Sequence, residues 1–80
     1  MKCTVKLIWD SEAAIWYTET DDVPGLVLHA PSFDELVERV RLASPELLED
    51  NLNYAGPVRL SFECERIEEG TANSQPGVAV

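Results

Sequence analysis

Histidine, cysteine and basic residues are scarce in this 80-residue chain, and each scarcity closes off a class of function. The single histidine, His29, belongs to no motif that would pair it with a serine or cysteine nucleophile. Two cysteines, Cys3 and Cys64, are too few and too far apart for a disulfide framework or a metal knuckle. Neither a His–Cys metal spacing nor a glycine-rich phosphate loop occurs, so no cofactor and no metal are expected. No apolar run approaches the length that a bilayer demands. The start Met1-Lys2-Cys3 passes at once into polar–apolar alternation, not into the apolar run of a signal peptide, so a cytoplasmic protein without membrane contact is expected. Lys and Arg number only 6 against 15 Asp and Glu, giving a net charge of −9. That field repels phosphate backbones and argues against direct nucleic-acid binding, while it favours a basic protein partner.

What is present suffices for one small folded domain. A hydrophobic fraction of 45% is too high for a chain disordered throughout. At this length, however, only about 60% of the unfolded surface can be buried.

The most informative stretch runs from Asp21 to Leu36. Pro24 fixes φ for a turn and Gly25 supplies the permissive position after it, so a strand ends there. Ser32 is a helix N-cap, with Glu35 three residues on, where its carboxylate could reach back to the Ser32 amide. Pro31 and Leu36 are spaced as the hydrophobic staple around that cap.

Around this core lie four strands and a helix. Residues 2–9 alternate, with Cys3, Val5, Leu7 and Trp9 on one side, as in a half-buried strand. After the polar turn Asp10-Ser11-Glu12-Ala13, residues 14–20 are rich in aromatic and β-branched side chains and should return antiparallel. Residues 26–30 form a short third strand, with Leu28 inward and His29 outward. Leu36, Val40, Ala43 and Leu47 then recur at helical spacing, widened by Phe33, Val37 and Leu48, with Asp34, Glu38, Arg41, Glu46 and Glu49 on the opposite side. Pro45 interrupts this pattern, and two helical pieces sharing one apolar stripe are expected, the second capped by Ser44. Residues 58–67 make the fourth strand, with Val58, Leu60, Phe62 and Cys64 inward and Arg59, Ser61, Glu63 and Glu65 outward. Domain limits of 1–69 follow, with an aperiodic, uncharged flexible tail over 70–80.

Connection rules convert these elements into an α+β fold. A helix between the third and fourth strands is a crossover, so the fourth strand pairs in parallel with a strand of its own direction. In a meander the first strand qualifies. The architecture is β-β-β-α-β, with sheet order 3-2-1-4 and the helix on one face. Cys3 and Cys64 then sit at opposite ends of a parallel pair, which forbids a disulfide, and both are expected buried and reduced.

The chain resembles the HicB-like group, the antitoxin halves of HicAB toxin–antitoxin pairs, and in particular its short stand-alone relatives of unknown function. Ile8-Trp9-Asp10-Ser11-Glu12-Ala13-Ala14-Ile15-Trp16-Tyr17, Asp22-Val23-Pro24-Gly25-Leu26, Ser32-Phe33-Asp34-Glu35-Leu36 and Pro45-Glu46-Leu47-Leu48 carry the resemblance. It implies a truncated ribonuclease H-like fold and a module that neutralises a small basic HicA-like ribonuclease. HicB antitoxins usually add a DNA-binding domain after the fourth strand. Only a few uncharged residues follow Gly70 here, so operator binding is not carried over.

Catalysis is not expected. Ribonuclease H chemistry gathers several carboxylates on two metal ions about 4 Å apart, whereas the first strand offers only Asp10, at its end. Asp21 and Asp22 lie beside a turn, and Glu63 and Glu65 read as surface partners of Lys6 and Lys2. Trp9 and Trp16 read as packing residues, not as a platform for bases. One helix cannot cover both faces of a four-stranded sheet, which leaves Ile8, Ile15, Tyr17, Val27 and Ile67 as a candidate interface on the open face. Two functions follow: a HicB-like module for a small basic protein, or a stand-alone homodimer or higher oligomer acting as a structural or adaptor protein.

Overall fold

In a computed structural model, residues 1–72 are described, and the four strands and one helix are present. They are β1 (Lys2–Asp10), β2 (Ile15–Glu19), β3 (His29–Ala30), α1 (Phe33–Leu52) and β4 (Arg59–Glu65). The sheet order is β3-β2-β1-β4, with β1 antiparallel to β2 and parallel to β4, as the crossover argument requires. Most of the expected tail, at 73–80, lies outside the described residues.

The β1–β2 hairpin is set by Asp10, whose Oδ1 accepts the amides of Glu12 (3.0 Å) and Ala13 (3.2 Å) and tightens the turn. Its register puts Trp9 opposite Trp16, with ring centroids 5.4 Å apart. Phe33 at the helix entrance meets Trp16 edge-on at 5.2 Å. Each such aromatic pair adds about 0.5–1.5 kcal/mol beyond burial. At the Pro-Gly turn the Leu26 amide bonds the Val23 carbonyl, and Gly25 has φ +82°, the left-handed position that favours glycine. Val23 and Leu26, on either side, are buried. Asn51, near the far end of α1, donates to the Pro24 carbonyl at 3.1 Å and ties the turn to the helix.

Ser32 caps α1 as expected, its Oγ accepting the Glu35 amide at 3.1 Å. The reciprocal arm of the capping box is not made, because the Glu35 carboxylate pairs instead with Arg39 at 2.8 Å, one turn on. Of the staple residues, Leu36 is buried and Pro31 exposed.

The expected break at Pro45 does not occur: α1 runs unbroken from Phe33 to Leu52. Proline deprives the Arg41 carbonyl of its helical donor, a loss of about 3 kcal/mol in a helix interior. Arg41 is on the exposed side, where solvent can replace that donor. Leu36, Val40, Ser44 and Leu48 recur every fourth residue across the proline, and all four are buried. Burying Leu48 alone is worth about 1.5–3 kcal/mol, so continuing the helix offsets the defect. Ser44 is thus not a cap but the polar member of the buried stripe, its hydroxyl donating to the Val40 carbonyl at 2.7 Å. Asn53, in the left-handed region, ends the helix, and the Tyr54 amide returns to the Leu48 carbonyl.

Two more expectations are corrected. The third strand shrinks from 26–30 to His29–Ala30 because the Thr18 hydroxyl intrudes on its ladder, accepting the Leu28 amide (3.1 Å) and donating to the Leu26 carbonyl (3.3 Å). Cys64 is exposed, not buried. It follows the inner row of β4, but that row runs along a sheet edge where Val58, Leu60 and Phe62 are themselves only half-buried. Both thiols are free, and Cys3 pairs with Leu60 while Cys64 pairs with Leu7, so they do lie at opposite ends of the ladder.

Candidate functional site

The face of the sheet away from α1 carries, along β1, Lys2, Thr4, Lys6, Ile8 and Asp10, the residues alternating with the buried Cys3, Val5 and Leu7. Ile8 stands between Tyr17 on β2 and Glu65 on β4, and Lys6 between Glu19 and Glu63. Lys2 faces Arg59, not Glu65, so only one of the two expected Lys–Glu pairings is in register.

The candidate interface residues divide by position. Ile8 and Tyr17 are direct cross-strand partners, and Ile15 is one step along β2 on the same face, so these three form a contiguous apolar strip. Ile8 and Ile15 are half-buried and Tyr17 is 38% exposed. Val27 and Ile67 are far more exposed, at 86% and 70%. They do not join the strip: Val27 is in the loop before β3 and Ile67 lies beyond the end of β4, at opposite sides of the sheet.

One end of this face is acidic. A shallow depression of about 400 Å³ is lined by Thr4, Lys6 and Thr20 with four carboxylates, Glu19, Asp21, Asp22 and Glu63. Asp22 Oδ2 accepts the Thr4 amide at 2.7 Å and Thr20 Oγ1 donates to the Thr4 carbonyl at 2.6 Å. Side chains therefore continue the β1–β2 pairing after the strand ladder stops at Lys6–Glu19. The acidic turn is a built extension of the sheet, with Asp22 spoken for structurally. No group of three or more His, Cys, Asp or Glu among the described residues is placed to hold a metal ion. Asp10, the one carboxylate of β1, is committed to its turn. Beneath Asp22, burial first and the nearby Asp22 charge second push the Cys3 thiol up from its ordinary value, so it is held protonated.

The sequence reading missed Arg66. Its guanidinium lies 4.4 Å from the Trp9 ring centroid and 5.7 Å from that of Trp16, while Nε pairs with Glu68 at 2.7 Å. The signal was present in parity: residue 66 continues the inner row 60, 62, 64, so an arginine there is directed towards the tryptophans.

Residues 2–72 match a family described as a domain of unknown function, DUF1902. The chain belongs to that family. A hypothetical protein from the extremely thermophilic bacterium Thermus thermophilus, known from its crystal structure, is 38% identical, with a TM-score of 0.75 over 88% of this chain and 100% of that one. This DUF1902 chain thus shares a small α+β fold with a protein of similar size. No curated protein matches it. No helix among the described residues is long and apolar enough to cross a membrane.

Proposed function

We propose that this DUF1902 chain is a non-catalytic, HicB-like protein-binding module whose open sheet face takes a small basic protein, such as a HicA-like toxin. The observation that carries the reading is the juxtaposition on one face of the Ile8–Tyr17–Ile15 strip and the Glu19, Asp21, Asp22 and Glu63 end. An apolar centre beside a charged rim is how protein interfaces are composed, and the sign of the rim selects the partner. The net charge of −9 extends the same preference over longer range.

The test is capture from native lysate by the tagged chain and by Tyr17→Glu, with elution by rising salt. The expected result is a small basic protein that elutes with salt, is lost with Tyr17→Glu, and cleaves RNA until the purified chain is added back. Recovery of the same proteins by both forms, or of no basic protein, overturns the reading. A stand-alone homo-oligomer is the second reading, and the edge of the sheet at β4 favours it.

A further inference from the structure

We propose that two copies of this chain pair antiparallel along β4, about a two-fold axis at Phe62, to make one continuous eight-stranded sheet. This goes beyond the binding of a basic partner, because the backbone bonds it uses lie along the sheet edge, with Glu63 the one residue it shares with the acidic end of the open face.

The backbone geometry comes first. β4 is the outer strand of the order β3-β2-β1-β4, and the Arg59 amide donates to the Met1 carbonyl at 2.7 Å. In a parallel ladder the residues of one strand alternate in the direction of their backbone groups. Arg59, Ser61, Glu63 and Glu65 therefore bond to β1, and Leu60, Phe62 and Cys64 turn their amides and carbonyls outward. An antiparallel partner must set outward residues opposite outward residues. The Phe62-centred register does so: Phe62 meets the partner's Phe62, and Leu60 meets the partner's Cys64, each pair exchanging both bonds.

The side chains agree with that register. Arg59 falls opposite the partner's Glu65 and Ser61 opposite the partner's Glu63, in the close pairs of the ladder where cross-strand charges interact most. By symmetry each contact occurs twice. Neither Arg59 nor Glu65 has an ion-pair partner among the described residues. On the helix side, half-buried Leu60 and Phe62 and exposed Cys64 gain cover. An axis at Glu63 would set that carboxylate against its own copy, and an axis at Ser61 would leave Glu65 opposite the partner's Pro57. Only the Phe62 axis pairs all 7 residues of the strand with charges matched. β4 also carries neither proline nor lysine, two of the usual guards of an exposed edge.

The experiment is sedimentation equilibrium over a concentration series, at physiological salt, where the Debye length of about 8 Å screens the −9 carried by each copy. The wild-type chain is expected to dimerise. Arg59→Glu should raise the dissociation constant at least about tenfold, and Arg59→Glu with Glu65→Arg should restore it to within a few-fold. Cys64→Pro should abolish the dimer while keeping the circular dichroism of the wild type, since the Cys64 amide takes no part in the β1 ladder and its side chain is exposed. A wild-type monomer at every concentration overturns the proposal, as does an Arg59→Glu protein as dimeric as wild type. Rescue by Glu63→Arg in place of Glu65→Arg overturns the register. Arg59→Glu should still capture a basic partner, and Tyr17→Glu should still dimerise, so failure here and failure of the function proposed above are separable.

Discussion

The two edges of this sheet are built in opposite ways. The β3 edge is 2 residues long, and the Thr18 hydroxyl occupies part of its ladder. The Thr18–Leu28 bond makes Thr18 opposite Leu28 a hydrogen-bonded pair, so the next pair, Tyr17–His29, turns the backbone groups of His29 away from β2. Arg39 of α1 donates to that outward carbonyl at 2.9 Å, and Pro31 follows directly. Behind it Val23, Leu26 and Ala30 are buried. The β4 edge is 7 residues long, its inner row is half-buried, and no side chain among the described residues bonds its outward groups. An edge that must stay single is shortened, plugged and covered. Among the described residues only one edge is treated so, and the difference marks the other as a place for association.

The two cysteines report on the two sides with the largest expected effect. Cys3 is fully buried on β1 and its thiol is pushed up, first by burial and then by Asp22, whereas Cys64 on β4 is exposed. In dilute solution, where the chain is monomeric, a neutral-pH thiol reagent should modify Cys64 at once and Cys3 only through unfolding, slower by about 10³-fold or more for a domain stable by at least about 5 kcal/mol. Mass spectrometry of the modified peptides measures both. Similar rates would mean that the β1 side opens as freely as β4. The same shift has a sign in stability. The folded state holds the Cys3 proton more tightly than the unfolded one, so this contribution is intact below the ordinary thiol value of about 9.0 and is lost as pH rises through the raised folded value. Subtracting the profile of Cys3→Ala from that of the wild type isolates it.

Core truncations come next. Leu36→Ala removes a fully buried side chain from the helix stripe and should cost about 2–5 kcal/mol. Leu60→Ala, on the half-buried row of β4, should cost less than half as much in dilute solution, about 1–2 kcal/mol. Urea midpoints at low protein concentration measure both. The cost of Leu60→Ala should grow with concentration, because pairing along β4 buries that side chain further. Equal costs in dilute solution would show that the two sides are equally enclosed.

Much of this asymmetry was legible in sequence, but not its cause. The order 3-2-1-4 followed from one crossover, so the identity of the edge strands was already implied. The alternation in residues 2–9 and the Ser32 cap were local signals with one outcome each. Where a residue had two partners to choose from, the sequence was silent. Glu35 could close the capping box or pair with Arg39, and Thr18 could lie in a ladder or replace it. Pro45 was read by its local cost, and the buried stripe that continues across it to Leu48, with solvent free to reach the Arg41 carbonyl, offsets that cost. Cys64 was assigned to an inner row on parity alone, which gives direction but not coverage. For the candidate interface, parity brought Ile8, Ile15 and Tyr17 together because they lie within paired strands, and it failed for Val27 and Ile67, which lie beyond strand ends.

The smallest effect distinguishes which guard keeps the β3 edge single. Arg39 bonds the His29 carbonyl and pairs with Glu35, but its side chain is 50% exposed and that of Glu35 44%. Screening by solvent at such exposure holds the loss in Arg39→Ala to under about 1 kcal/mol. If length is the main guard, removing the arginine should leave association unchanged, because 2 residues followed by Pro31 offer too little ladder to hold another strand. Sedimentation velocity of Arg39→Ala should then match wild type, with no species beyond the dimer. Higher oligomers in that variant alone would assign the guarding role to the guanidinium. They would also mean that a single hydrogen bond at an outward carbonyl separates a closed edge from an open one, and an arginine set to bond an outward carbonyl of β4 should then close that edge in the same way.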